Sequence, residues 1–148
     1  MLKLLPILLV LAIIAVIVSC KPTKDAVTDT ADIKETPENN PDELIGITWS
    51  VSYIQELDAR LLPKKSASIT FKEGNQAKIG LSVNSCFASY KASPTMIKII
   101  EEGCTEKCCD DDFDKQLLAL IRGNEFSYEL KNGKLTLSAT NSKIVLSK

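Results

Sequence analysis

Five cysteines carry the most reactive chemistry in this 148-residue sequence, and four of them lie in its second half. In an exported chain, an even set of four cysteines predicts two disulfides. A bridge between the adjacent Cys108 and Cys109 needs a strained backbone. Two pairings then remain open: Cys86–Cys109 with Cys104–Cys108, or Cys86–Cys108 with Cys104–Cys109. We therefore predict that these four residues are structural.

Two other chemistries use cysteines in similar arrangements. The spacing Cys104-x-x-x-Cys108-Cys109 lacks the paired C-x₂₋₄-C units of structural zinc sites. A thiol-dependent redox site would use a C-x-x-C motif at the start of a helix. Cys108 and Cys109 precede a predicted helix without forming that motif. The redox function is kept as an alternative, and no metal site is predicted.

Catalytic patterns are missing from the sequence. It contains no histidine, which removes the commonest general base and the commonest metal ligand. Residues 80–84 (Gly-Leu-Ser-Val-Asn) lack the second glycine of a nucleophile elbow. The acidic run at residues 110–112 and Asp114 lacks the order of an EF-hand loop. We predict a protein that is not an enzyme, with no catalytic residue and no cofactor.

The N-terminus has the pattern of an export signal that is cleaved directly before Cys20. Lys3 precedes an apolar run at residues 4–18, and small Ser19 stands directly before Cys20. The run is shorter than the roughly 20 residues that span a bilayer. Its ending resembles the lipobox of bacterial lipoproteins, whose cysteine is diacylated after cleavage. We predict a signal peptide at residues 1–19, lipid attachment at Cys20, and a protein anchored by lipid to the cell envelope.

Residues 20–43 form a predicted spacer between the anchor and the folded part. Acidic residues, threonines and three prolines dominate it, and large aliphatic residues are scarce. Such a segment cannot bury enough apolar surface to fold, so we predict disorder. In a bacterium with two membranes, Lys21 after the lipidated cysteine fits export to the outer membrane. The formal net charge of −1 does not resemble that of a nucleic-acid-binding protein.

Residues 44–148 show the alternation of a β-rich domain. Short alternating runs predict about eight antiparallel strands, with a hairpin at Asn132-Gly133. Residues 111–122 have the spacing of one helix, with acidic residues at its start. We predict an α+β domain in which a curved sheet or cracked barrel is covered by the helix. Its aromatic core candidates, which an open barrel could use to line a cavity, are Trp49, Tyr53, Phe71 and Phe126.

Short motifs in this domain resemble the META domain (HslJ-like) family. Residues 44–49 are similar to its opening L-x-G-x-x-W, and residues 88–90 end a cysteine-containing turn as G-x-Y does in the family. Thr105 and Cys109 match T-x-x-x-C, and residues 134–137 match its L-x-L strand. The chain departs from the pattern at Asn84, which precedes the turn cysteine instead of following it. The resemblance implies a small β-rich fold with one helix and a Cys86–Cys109 bridge. It implies no enzyme activity and at most an association with envelope stress and secretion.

These observations predict a lipid-anchored envelope protein with a disulfide-stapled, non-catalytic domain. Its expected partners are the membrane, through the N-terminal lipid, and an unidentified envelope protein or small ligand. One alternative is a carrier of small molecules or lipids that uses the barrel interior. The other is the thiol-dependent redox protein.

Overall fold

The computed structural model describes residues 39–107 and 110–148. The predicted signal peptide, Cys20, most of the spacer, Cys108 and Cys109 therefore lie outside the described residues. Within the described ranges the chain forms nine strands and one α-helix. These are β1 (Thr48–Glu56), β2 (Ala59–Leu61), β3 (Ser68–Lys72), β4 (Gln76–Gly80), β5 (Ser85–Ala92), β6 (Met96–Cys104), α1 (Asp112–Gly123), β7 (Phe126–Lys131), β8 (Lys134–Ala139) and β9 (Ser142–Ser147).

The strands form one antiparallel sheet that closes into an uneven ring. Its order is β2-β1-β3-β4-β5-β6-β7-β8-β9, and β1 also pairs with β9 to close the ring. The seam between β6 and β7 is short, with Met96 opposite Ser127 and Ile97 opposite Phe126. The predicted fold class, a curved or cracked-barrel sheet with one helix, is confirmed.

Turn residues fix the β7–β8 hairpin where the sequence predicted it. Asn132 and Gly133 both have positive φ (52° and 73°) and connect Lys131 to Lys134 in register. That geometry suits the right-handed twist of the flanking strands. The additional strand is β2, which follows a turn at Leu57 and Asp58 without glycine, asparagine or proline. The alternation of residues alone did not predict it.

The interior of the ring is filled by large apolar side chains. Trp49, Phe71 and Phe126 are almost completely buried, together with aliphatic residues from most of the strands. The prediction that Tyr53 belongs to this core was wrong. A β-bulge in β1 between Val51 and Tyr53 shifts the alternation, so Ile54 takes the inward position. Tyr53 is half-buried, and the guanidinium carbon of Arg60 lies 3.9 Å from its ring centroid.

Helix α1 packs its apolar side against β6 and the core. Its buried apolar residues are Phe113, Leu117, Leu118, Leu120 and Ile121, which recur at helical spacing and form a single stripe. Asp111 caps the N-terminus by accepting a hydrogen bond from the Asp114 N–H at 3.0 Å. Among the described residues, no helix has both the length and the apolar character needed to cross a membrane.

Contacts with the domain begin before its predicted start at Leu44. The Asn39 side chain donates to the carbonyls of Pro94 (3.0 Å) and Tyr128 (2.7 Å) and accepts from the Leu130 N–H at 3.0 Å. It therefore occupies the edge of β7 beyond the two pairs that β7 makes with β6. A short 3₁₀ helix, Pro41–Leu44, then leads into the ring.

Candidate functional site at the disulfide-linked corner

A disulfide joins β5 to the end of β6. Cys86 is fully buried and lies directly opposite Cys104 in the sheet. Their Cα atoms are 3.9 Å apart, and the bridge spans 18 positions of sequence. Both predicted pairings are therefore wrong for Cys86, including the Cys86–Cys109 bridge implied by the family resemblance. Their other partners, Cys108 and Cys109, lie outside the described residues.

A β-bulge explains why Cys104 is the partner of Cys86. From the β5–β6 turn as far as Ala88, which lies opposite Glu101, the register is regular, but it shifts at the next pair, where Phe87 lies opposite Gly103. Without that shift, Gly103 would face Cys86. The prediction paired the four cysteines by their spacing in the sequence alone. It could not place Cys104 on a strand at all.

Asn84, in the turn between β4 and β5, organises the segment that follows the disulfide. Its side chain is 7% exposed. The Oδ1 atom accepts from the Lys107 N–H at 2.7 Å and the Thr105 hydroxyl at 3.1 Å. The Nδ2 group donates to the Lys107 carbonyl at 2.9 Å and to Asp110 at 2.8 Å. All four hydrogen-bonding positions of the amide are used, which ties Thr105, Lys107 and Asp110 to the turn.

A buried carboxylate ties the same turn to the start of α1. Asp114 is 1% exposed and accepts hydrogen bonds from the N–H of Ser82, at 3.0 Å, and from its hydroxyl. A serine beside a carboxylate could suggest a nucleophile and its base. Here, however, the carboxylate also holds the serine backbone inside a packed corner, so this contact is structural.

Glu101 lies beside the disulfide, but the three residues do not form a metal site. One of its carboxylate oxygens and the two cysteine sulfurs lie within 4.8 Å of one another. Sulfurs bonded to each other are not thiolates and do not bind metal as thiolates do. The carboxylate is also taken by Arg122, which donates to both oxygens at 2.8 Å. This bidentate contact raises the pKa of the Arg122 guanidinium.

A polar groove of about 460 Å³ opens on the outer face of the sheet beside this corner. Its hydroxyl groups come from Thr48, Ser68, Thr70, Ser85 and Thr105, and its charged groups are Lys78 and Lys107. Gly80 makes room for the Ser68 hydroxyl, because a Cβ atom at residue 80 would lie only 2.7 Å from that oxygen. Such a lining offers hydrogen bonds and positive charge to a polar or anionic ligand.

The structure thus brings together Cys86 and Cys104 among the predicted site residues. Sequence reasoning missed Asn84 and Asp114 as the residues that hold this corner together. Asp114 was visible as part of an acidic helix start, and Asn84 as a polar residue near a cysteine. Neither pattern reveals burial, which depends on where the helix meets the sheet.

Comparison with known proteins identifies the domain and its fold. A family model described as the META domain matches residues 42–148. An NMR structure of a protein from Burkholderia xenovorans is 11% identical, covering 72% of this chain and 83% of that chain, with a TM-score of 0.59. A second NMR structure is 15% identical, covering 73% and 93%, with a TM-score of 0.54. No match was found among curated proteins. At these identities the two structures support the fold alone.

Proposed function

This chain belongs to the META domain family, and on that premise we propose that it is a lipid-anchored envelope protein with a non-catalytic binding or supporting role. The cross-strand Cys86–Cys104 disulfide carries the proposal. Structural disulfides persist in oxidising compartments and are rare in the reducing cytosol. The bridge therefore supports export, as the lipobox-like ending at Cys20 does independently.

The binding part of the proposal is assigned to the polar groove. It combines hydroxyl groups with Lys78 and Lys107 on a sheet face whose backbone is fixed by the neighbouring disulfide corner. A preorganised polar surface of this kind can bind a ligand without chemical change. The ligand class that it fits is polar or anionic.

The interior of the ring gives little support to a carrier function. A lipid or small apolar molecule would have to displace Trp49, Phe71 and Phe126, which pack there with almost no exposed surface. The thiol-dependent alternative gains nothing from Cys86, because it is fully buried and already bonded to Cys104. The anchored binding role is therefore the function we propose.

Fatty-acid labelling in cells tests the anchor. The wild-type chain should incorporate labelled palmitate and fractionate with membranes, because a diacylated cysteine is a stable anchor. The Cys20→Ala variant should do neither. If Cys20→Ala still incorporates label and remains with membranes, the anchor proposal is wrong.

Peptide mapping of the exported protein tests the compartment. Without reduction, Cys86 and Cys104 should resist alkylation and appear as one linked peptide pair. Full alkylation of both residues in unreduced protein would remove the observation on which the proposal depends.

A further inference from the structure

The segment from Leu57 to Lys65, here called the basic hairpin, contains the turn between β1 and β2, strand β2, and the residues that follow it. Strand β2 pairs with β1 and has no second neighbour in the described sheet. Leu57 is 70% exposed and Leu62 is 63% exposed, the two highest values among the described large hydrophobic residues. Two leucines that bury little of their surface contribute little to folding.

Leu57 is also held in an unusual backbone conformation. Its φ is +50°, in the left-handed region that is uncommon for bulky residues and easy for glycine. The conformation is fixed from both sides. The Leu57 N–H donates to the Asn141 carbonyl at 2.7 Å, and the Leu57 carbonyl accepts from Gln55 at 3.0 Å. Glycine would satisfy the same bonds without strain, so packing does not explain a leucine here.

Positive charge accompanies the exposed leucines. Arg60, Lys64 and Lys65 are exposed, and Asp58 is the one acidic residue in the segment. The ion pairs found in the described structure involve Lys115 and Arg122, so the cations of the basic hairpin form no ion pair among the described residues. Arg60 is stacked on the ring of Tyr53, an aromatic residue of the type that suits a membrane interface.

We propose that the basic hairpin docks on an anionic lipid surface. Leu57 and Leu62 enter the interfacial region, while Arg60, Lys64 and Lys65 contact lipid phosphates. Apolar burial and attraction to anionic headgroups are the two terms that hold peripheral segments at membranes. The inference rests on the proposed function, because a lipid tether at Cys20 keeps the domain close to such a surface. The charge of the segment favours an anionic lipid surface over another copy of this chain.

Vesicle co-sedimentation tests the docking separately from the anchor. The chain from residue 20 onward, which keeps every described residue, is used with Cys20→Ala so that no acyl group is present. It should bind vesicles of phosphatidylglycerol and phosphatidylcholine, lose that binding at high salt, and bind pure phosphatidylcholine weakly. Equal binding to both vesicle types, or none to either, would overturn the proposal. Lipid attachment at Cys20 is measured in cells, so either idea can fail alone.

Substitutions in the basic hairpin sharpen the test. Lys64→Gln with Lys65→Gln should weaken partitioning about fivefold per charge. Leu57→Gly should weaken vesicle binding about tenfold, as expected for losing a leucine that is partly buried in the membrane, without lowering the midpoint temperature of thermal unfolding.

The matched control is Lys131→Gln with Lys134→Gln, on the exposed β7–β8 hairpin. This control variant should bind vesicles as the parent does. If both lysine pairs have the same effect, or if Leu57→Gly binds normally, the docking surface is misassigned. A dimer that the basic-hairpin substitutions dissociate, without vesicle binding, would identify a self-association surface instead.

Discussion

The carboxylate of Asp114 accepts hydrogen bonds from both the N–H and the hydroxyl of Ser82 while being almost completely buried. This contact fixes the first turn of α1 to the β4–β5 turn. We predict that Asp114→Ala lowers the free energy of unfolding by about 2–3 kcal/mol, because it leaves a desolvated N–H without its acceptor. Urea unfolding followed by circular dichroism measures the change.

Asp112→Ala is the matched control for that prediction. Asp112 lies in the same helical turn, but it is exposed and makes one distant ion pair with Lys115 at 3.8 Å. Surface pairs of this kind contribute little, so the change should stay within about 0.5 kcal/mol. Equal losses in the two variants would show that Asp114 acts through the helix terminus alone and not through Ser82.

The architecture of the domain could be predicted because its patterns are local. Alternation in the strands, the Asn132-Gly133 turn and the acidic start of α1 each depend on residues close in sequence. The positions of the bulges could not be predicted in the same way. The bulge in β1 turns Tyr53 outward, and the bulge beside Phe87 decides which residue faces Cys86. Both depend on how neighbouring strands fit around the ring.

The candidate site was harder to predict than the fold. Cysteine spacing limited the possible pairings, but the choice depended on β6 extending as far as Cys104. The roles of Asn84 and Asp114 follow from the close approach of a turn and a helix that lie far apart in sequence. Leu57 is a similar case, because its backbone conformation depends on a hydrogen bond to Asn141.

The Cys86–Cys104 bridge should stabilise the domain measurably. Closing a loop of this length contributes about 3 kcal/mol by chain-entropy reasoning. We predict that Cys86→Ala with Cys104→Ala lowers the free energy of unfolding by up to that amount, measured in urea. The reference protein carries Cys108→Ala with Cys109→Ala, which leaves this pair as the only described bridge it can form. If unreduced wild-type protein instead yields a peptide linking Cys86 to Cys109, the pairing in the structure is wrong.

Asn39 should be the first residue that contributes to the stability of the folded domain. Its side chain makes hydrogen bonds to Pro94, Tyr128 and Leu130 at the edge of β7. We predict that Asn39→Ala costs about 2 kcal/mol, because buried backbone groups lose their partners. The Leu130 amide should then exchange with solvent faster, which hydrogen exchange by NMR measures.

Asn40→Ala provides the comparison for Asn39. Asn40 is exposed and caps the short 3₁₀ helix by accepting from the Asp42 N–H at 3.1 Å. Losing such a cap costs about 1 kcal/mol and should leave Leu130 exchange unchanged. Unaltered protection of Leu130 in Asn39→Ala would mean that the domain starts later, as the sequence predicted.

Two buried tyrosines make stability depend on pH in the alkaline range. Burial raises the pKa of Tyr90, and the negative charge of Asp42 raises it further. Burial likewise raises the pKa of Tyr128, with a smaller contribution from Glu43. In the unfolded chain both ionise near pH 10. Above that pH the unfolded state therefore holds fewer protons than the folded state, and the free energy of unfolding falls as pH rises.

We predict that this fall begins near pH 10, continues until the pH passes the raised folded-state pKa values, and reaches up to about 1.4 kcal/mol per pH unit for each tyrosine. Tyr90→Phe with Tyr128→Phe should flatten this dependence of stability on pH, measured by urea unfolding at successive pH values.

The two single variants should differ in stability at neutral pH. The Tyr128 hydroxyl is buried without a hydrogen-bond partner in the described structure, so Tyr128→Phe should not destabilise the domain. The Tyr90 hydroxyl donates to the Lys72 carbonyl at 3.4 Å, so Tyr90→Phe should cost a fraction of 1 kcal/mol, a small loss for a long hydrogen bond. If stability still falls with rising pH in the double variant, groups other than these two tyrosines cause the fall.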